Sequence, residues 1–420
     1  MTPKKDGKSK SNMGERMLVR IWIAAVCAAF CSAAPVLAQQ YTYTPAQIRT
    51  VYGFNGITFN GVPATGAGET IAIVDAYNNS TIRSDLSAFD TKFGISAPPS
   101  FSVVNQTGGS TLPTRTNSSW ALETDIDVEW AHAIAPQANI LLVETNDNSY
   151  TDLNAGVRTA ADAAGTCAVS MSWGSDEYSG ETINDSNYIT PSNHQGVSFV
   201  ACTGDSGSLW HPSAAPTVLG VGGTSLYLSS SGGYGYETAW NDSYGSGGGG
   251  VSTQESEPGY QDIVQQTGSR TVPDVAYDAD GNTGFAAIVG GQSYYVYGTS
   301  CGAPQWAALI AIADQGRALD GIGSLDSSNL VNGLLPSLYD LYDTPYYTQA
   351  FNDVTLGTTS TGQAAGVGYD TATGLGTPKA GFLIPYLADE ISIPEAKTGW
   401  LLLPLAALLL ANRANALKPS

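Results

Sequence analysis

Five short apolar runs, separated by stretches of helical pattern, constrain this chain more than any other feature. Glu69–Asp75, Asn139–Glu144, Ala168–Ser172, Val197–Ala201 and Val218–Gly222 each read as a short buried strand. Helical stretches occupy about 119–134, 151–164 and 302–317. Strands apolar on both sides of the pleat need cover on both faces, and intervening helices supply it as parallel crossovers. The pattern predicts an α/β fold, a parallel sheet with helices on both faces. The chain has 420 residues, enough for one large domain or two smaller ones. At 42% apolar it is too hydrophobic to stay disordered.

Charge narrows the function classes. Only 13% of residues are charged, the formal net charge is −20 and the pI is near 4.3. Such a chain has no basic surface with which to hold nucleic acid. No internal repeat is visible. The glycine run Gly245–Gly250 has no following Gly-Lys-Ser/Thr, so it is no phosphate loop. Strand-like sequence resumes after it, which favours a loop lining a substrate over a flexible linker.

Both ends carry sorting features. Lys4, Lys5, Lys8, Lys10, Arg16 and Arg20 precede an apolar stretch, and Val36-Leu37-Ala38 has the small-residue pattern of a signal-peptidase site. Residues 1–38 are therefore expected to be a signal peptide, with Met17 an alternative start and a membrane anchor the alternative reading. Its removal would leave 11 basic and 35 acidic residues, a net charge of −24. Residues 39–391 form the expected folded domain and 392–420 a tail. The tail carries Pro394-Glu395-Ala396, the apolar run Trp400–Ala411 and then Arg413. It resembles the PEP-CTERM sorting tails of some Gram-negative bacteria, with Ala396 departing from their Pro; a terminal helix packed on the domain is the alternative. The protein is expected to be secreted, to attach to the envelope if the tail acts as a sorting signal, and to work as a monomer. Beyond the signal only Cys167, Cys202 and Cys301 remain, so at most one disulfide can form. With three histidines and no Cys/His metal spacing, no zinc site is expected.

Three motifs can carry chemistry. Gly298-Thr299-Ser300 leads directly into the apolar stretch from Trp306, which puts Ser300 at a helix N-terminus. Backbone N–H groups there can stabilise an oxyanion, although such turns also serve only as caps. A nucleophilic Ser needs a base, and His132, His194 and His211 lack a recognisable motif for that task. Carboxylates are the alternative. Glu123 and Asp127 are four residues apart, about 40° apart on one helix face. Solvated, the pair is an ordinary acidic face. Buried, it cannot hold two negative charges, so one pKa rises and the pair can act as acid and base at low pH. Asp205, in Thr203-Gly204-Asp205-Ser206-Gly207, follows the strand Val197–Ala201 and is either a plain turn or a functional strand end.

The combination resembles the sedolisin family, the serine-carboxyl peptidases, over residues 41–385. Tyr43–Arg49 looks like the start of their mature domain. Glu123-x-x-x-Asp127 with Ala133-Ile-Ala-Pro136, Ser170–Gly174, Gly204–Gly207, Ser246–Gly249 and Gly298-Thr299-Ser300 with Ala303-Pro304 match their motifs in order. The resemblance implies a subtilisin-like fold and a secreted endopeptidase that acts on proteins or peptides in acid. It makes Ser300 the nucleophile, Glu123 the general base and acid, Asp127 its orienting partner and Asp205 a protonated oxyanion donor. Asp75 becomes an outer member of the carboxylate network, with Trp173 nearby. It also implies one structural Ca²⁺, bound by the Asp353 and Asp370 carboxylates and by backbone carbonyls of Val354, Gly366 and Gly368. An all-oxygen shell suits that hard cation. Ala38 and Tyr43 leave no room for the family's prosegment, so either the enzyme folds without one or the chain is incomplete. The rival readings are a tripeptidyl-peptidase of the same family and a catalytically silent surface-binding protein on the same scaffold.

Overall fold

The computed structural model describes residues 42–392, together with a two-residue strand at Ala34–Pro35. The rest of the expected signal peptide and the tail from residue 393 onward lie outside the described residues. Among the described residues no helix is long and apolar enough to cross a membrane.

An eight-stranded sheet organises the fold. Its strands are β1 (Thr70–Ala76), β2 (Phe101–Asn105), β3 (Asn139–Thr145), β4 (Thr166–Met171), β5 (Ser198–Cys202), β6 (Val218–Leu228), β7 (Tyr234–Ala239) and β8 (Val275–Asp278). They lie in the order β7-β6-β5-β4-β1-β3-β2, with β8 also paired to β6. Every pairing is parallel except that of β7 with β6. The five strands read from the sequence are all present, and the fifth runs on to Leu228, six residues past its expected end. β2, β7 and β8 were not expected.

The helices that position the site are α1 (Pro45–Val51), α2 (Ile82–Phe93), α3 (Ser118–Ile134), α4 (Tyr150–Asp162) and α5 (Gly302–Leu319). α1 begins with a capping box, in which Thr44 and Gln47 satisfy each other's backbone N–H groups. Asn117 caps α3 by accepting from the N–H groups of Ser119 and Trp120, and Ser149 caps α4 through Asp152.

The strand period of two divides the core. Ile71 and Ile73 of β1 pack in the layer that contains α3 and α5, whereas Ala72 and Val74 pack on the opposite face with Leu153 and Val157 of α4. Helices therefore cover both faces, as the apolar runs require. α3 and α5 are themselves buried along most of their length, including Trp130 and Trp306 with no exposed surface. Chain segments leaving the carboxyl ends of β1, β4 and β5 then converge on one edge of the sheet, where parallel α/β folds place their sites.

Candidate active site

α3 delivers two acids to that edge. Glu123 and Asp127 are 2% and 0% exposed, so the solvated-face reading is excluded. The Ser172 hydroxyl, just past the end of β4, donates to Asp127 Oδ1 at 2.8 Å and also lies 3.3 Å from the Ser300 carbonyl oxygen. Ser300 Oγ in turn is 3.5 Å from the Ser172 carbonyl oxygen. Ser172 thus links the acid helix to the Gly298–Ser300 turn. The sequence motif placed Ser172 at the strand end without revealing this bridging role.

The turn Thr299–Cys301 is a single 3-10 turn feeding α5, and Ser300 is fully buried in it. This matches the expected helix N-terminus. Gly298 precedes it at φ +124°, a conformation that side chains resist. A Cβ on Gly298 would meet Asp205 Oδ2 at 2.6 Å. Glycine is what lets the turn pass so close to that carboxyl group.

Asp205 is held by Thr299. The Thr299 N–H and hydroxyl both donate to Asp205 Oδ1 at 2.8 Å, and the Thr299 hydroxyl accepts from the Gly204 N–H at 3.0 Å. Asp205 Oδ2 is buried with no hydrogen-bond partner. One oxygen is thereby committed as an acceptor while the other is left to carry a proton. Burial pushes the Asp205 carboxyl up to about 6, against the two Thr299 bonds.

The acids are electrostatically one group. Burial, then the charge of Asp75, then that of Glu123 hold Asp127 well above the usual carboxylate range, against the Ser172 bond. Asp75, at the end of β1, is fully buried and pushed up to about 7, chiefly by burial with Glu144 adding. Trp173 donates its indole N–H to the Val74 carbonyl at 2.8 Å, beside Asp75 in the chain. Cys202, at the end of β5, lies beneath the site. Its thiol is pushed up by burial first and then by Asp205, Glu123 and Asp127, and it hydrogen-bonds Ser300.

No histidine joins them. His132 Nε2 contacts the Ser96 carbonyl at 2.9 Å and Asp90 at 3.2 Å. His194 contacts the Gln195 and Ala163 carbonyls. His211 lies in the short strand Trp210–His211 against Tyr188. Cys167, Cys202 and Cys301 are all buried.

The two loops of the expected cation site do meet. The Gly368 N–H lies 3.1 Å from both oxygens of Asp353, and the Gly366 N–H donates to Asp370 Oδ2 at 2.8 Å. Asp370 Oδ1 accepts from the Ala372 and Thr373 N–H groups. Gly368 has φ +81°, the turn that brings its loop back onto Asp353. Val354 is buried beside them.

Comparisons with known proteins agree with the fold. The family model Peptidase_S8, the subtilase family, matches residues 105–322. Kumamolisin from Bacillus sp. (strain MN-32) is 32% identical over 377 residues, covering 83% of this chain and 63% of the relative. Sedolisin from Pseudomonas sp. (strain 101) is 26% identical over 379 residues, covering 83% and 62%. The chain thus spans a little under two thirds of the length of these curated relatives. The solved structure of Pseudomonas sedolisin, a serine-carboxyl proteinase complexed with two molecules of pseudo-iodotyrostatin, is similar with a TM-score of 0.72 and 25% identity. That likeness covers 84% of this chain and 99% of the other.

Proposed function

Because the chain belongs to the subtilase family, in its sedolisin branch, we propose that it is a serine-carboxyl endopeptidase hydrolysing proteins or peptides in acid. The observation that carries this reading is that Ser172 joins Asp127 of the acid helix to Ser300, while Thr299, beside Ser300, holds Asp205, with no histidine among them. Ser300 Oγ attacks the scissile carbonyl. Glu123 takes the hydroxyl proton and returns it to the leaving amine, so protons balance over acylation. Asp127, held by Ser172, keeps Glu123 oriented and shares its proton, and Asp75 sets the charge state of that pair. The Oδ2–H of Asp205 donates to the oxyanion that develops as Ser300 adds to the carbonyl. Asp205 must be protonated for this, and its raised pKa supports that state in mild acid.

One Ca²⁺ is proposed at the Asp353 and Asp370 loops. The donor set fits, since two carboxylates and the carbonyls of Val354, Gly366 and Gly368 are all hard oxygens. The ion would supply charge neutralisation and tie the two loops. No catalytic step passes through it. Secretion, envelope attachment through the tail and action as a monomer belong to the same proposal and rest on the sequence features at the two ends.

The test is digestion of a denatured protein by the purified chain at pH 4 and at pH 7.5, with the products sized by mass spectrometry. Cleavage confined to the acid sample, giving fragments of mixed length, is expected. Products that are only tripeptides would replace the endopeptidase reading with a tripeptidyl-peptidase. No cleavage at either pH would favour the silent binding protein.

A further inference from the structure

Apart from the catalytic acids, three donor atoms face one another in a buried pocket without partners. Glu181 opens the short helical turn Glu181–Asn187, His211 lies in the strand pair of Trp210–His211 with Ser175–Asp176, and Glu255 lies in the strand Gly250–Ser256. One donor atom from each falls within 4.8 Å of the other two. The residues are 0%, 0% and 5% exposed. We propose that Glu181, His211 and Glu255 form a binding site for a divalent transition-metal ion of the zinc type, tying together three segments that leave the active-site edge.

The partnerless atoms are the first argument. Glu181 Oε1, His211 Nδ1 and Glu255 Oε1 are all buried without a hydrogen-bond donor, and the one side chain paired with Glu181 is a second carboxyl, Glu177. Buried polar atoms are nearly always satisfied, so three orphans at one point indicate a missing ligand. His211 Nδ1 and Glu181 Oε1 are 4.0 Å apart, too far to bond each other. Donors of a four-coordinate zinc with bonds of about 2.1 Å stand roughly 3.4 Å apart, so a small contraction closes the site.

The imidazole is held in the ligating form. The Tyr188 hydroxyl donates to Asn154 Oδ1 at 2.9 Å, so its oxygen is left to accept from His211 Nε2 at 3.3 Å. Asn154 is fixed in that sense because its amide donates to Asn184, whose own amide donates to the Tyr178 hydroxyl. With its proton on Nε2, His211 presents a bare Nδ1 lone pair to the two glutamates. Histidine ligands are oriented in this way by a bond from the other ring nitrogen. Glu181 is fixed similarly, since its Oε2 accepts from the Tyr178 N–H at 2.7 Å.

Charge and donor type select the ion. Two ionised carboxylates and one neutral imidazole balance a 2+ charge, and the nitrogen donor favours zinc-like ions over Ca²⁺. Among the described residues no Lys or Arg pairs with Glu181 or Glu255. Arg270, whose charge reaches Glu255, is engaged by Asp274 at 2.6 and 2.7 Å. Three protein donors leave the fourth position to water. Glu177 already joins two of the segments by accepting from Ser252 and Thr253. The link to the active site is short, since Trp210 packs so closely on Gly204 that a Cβ there would meet its ring at 2.2 Å. The count of three histidines argued against zinc because it looked for clustered Cys and His, whereas these ligands are scattered over residues 181–255.

The test is titration of the chelator-treated full chain with Zn²⁺ at pH 7.5, in excess Ca²⁺, followed by calorimetry and thermal melting. One equivalent should bind with a Kd below about 1 µM and raise the melting temperature. Glu255→Gln and His211→Gln should each weaken binding at least about tenfold, whereas Asp370→Asn and Glu123→Gln should not. Zinc-edge X-ray absorption of the wild-type protein should show a single imidazole nitrogen, a result independent of whether the variants fold. Absence of stoichiometric binding, equal affinity in the Glu255 and His211 variants, or a spectrum without imidazole would each overturn the site and leave the glutamates sharing protons instead.

Discussion

Asp205 shows how a single side chain sets the pH range of the proposed chemistry. Its carboxyl is raised from an ordinary 3.8 to about 6, so the protonated, donating form prevails below that value and is lost as pH rises through it. kcat/KM should therefore fall about tenfold per pH unit above 6. Asp205→Asn keeps a donor but cannot ionise. It should lower kcat and move the alkaline limb of the pH profile upward; a limb unmoved near pH 6 would assign that titration to another group. His132 sits against Ser96 and Asp90, away from these residues. His132→Gln should cost about 1–3 kcal/mol of stability while the folded fraction keeps its kcat/KM. A hidden histidine base would show as lost turnover. The four chemical residues were legible because their types and spacing are unusual together. Ser172 and Thr299, which position Asp127 and Asp205, were not, because a serine or threonine in a strand-end or turn motif carries no sign of what its hydroxyl will reach.

Among the elements, α3 and α5 were readable and α2 and β2 were not. α5 is apolar enough to announce itself, whereas Ile82–Phe93 alternates Arg, Asp and Lys with its core residues and shows only half a helix to the core. The left-handed Gly94 that ends α2 was its clearest available signal. Burial of α3 on every side could not be read either, since Glu123 and Asp127 on one face and Asp125 and Glu129 on the other look solvated until the layers are assembled. The turn before α5 is the most demanding element. Gly298→Ala would place a methyl group 2.6 Å from Asp205 Oδ2 at φ +124°. It should cost about 1–3 kcal/mol and lower kcat/KM by more than the loss of folded protein explains; an active, equally stable variant would mean the turn is looser than drawn. The Asp353 and Asp370 loops were legible only through the family resemblance. Chelation followed by Ca²⁺ add-back should lower and then restore the melting temperature near neutral pH. The same cycle on Asp370→Asn should show no calcium-dependent change, and a wild-type melting temperature insensitive to Ca²⁺ would remove the site.

At the scale of the whole molecule, buried acids tie the stability of the fold to pH. Burial raises Asp75 to about 7, Asp125 to about 8 and Glu69 to about 7, all above their unfolded values. The folded state then binds protons that the unfolded state has released, so the slope of stability against pH is negative. This contribution is complete below about pH 4 and is lost as pH rises through 7 to 8. The melting temperature, at saturating Ca²⁺, should fall between pH 5 and pH 8, and a rise over that range would contradict the burial of these acids. The central claim concerns one hydroxyl among those acids. Its most direct test is kcat/KM for a peptide substrate at pH 4, measured side by side for the wild-type chain and Ser300→Ala with matched melting temperatures. The account predicts a loss of about four to six orders of magnitude. A folded Ser300→Ala protein that cleaves at the wild-type rate would contradict it.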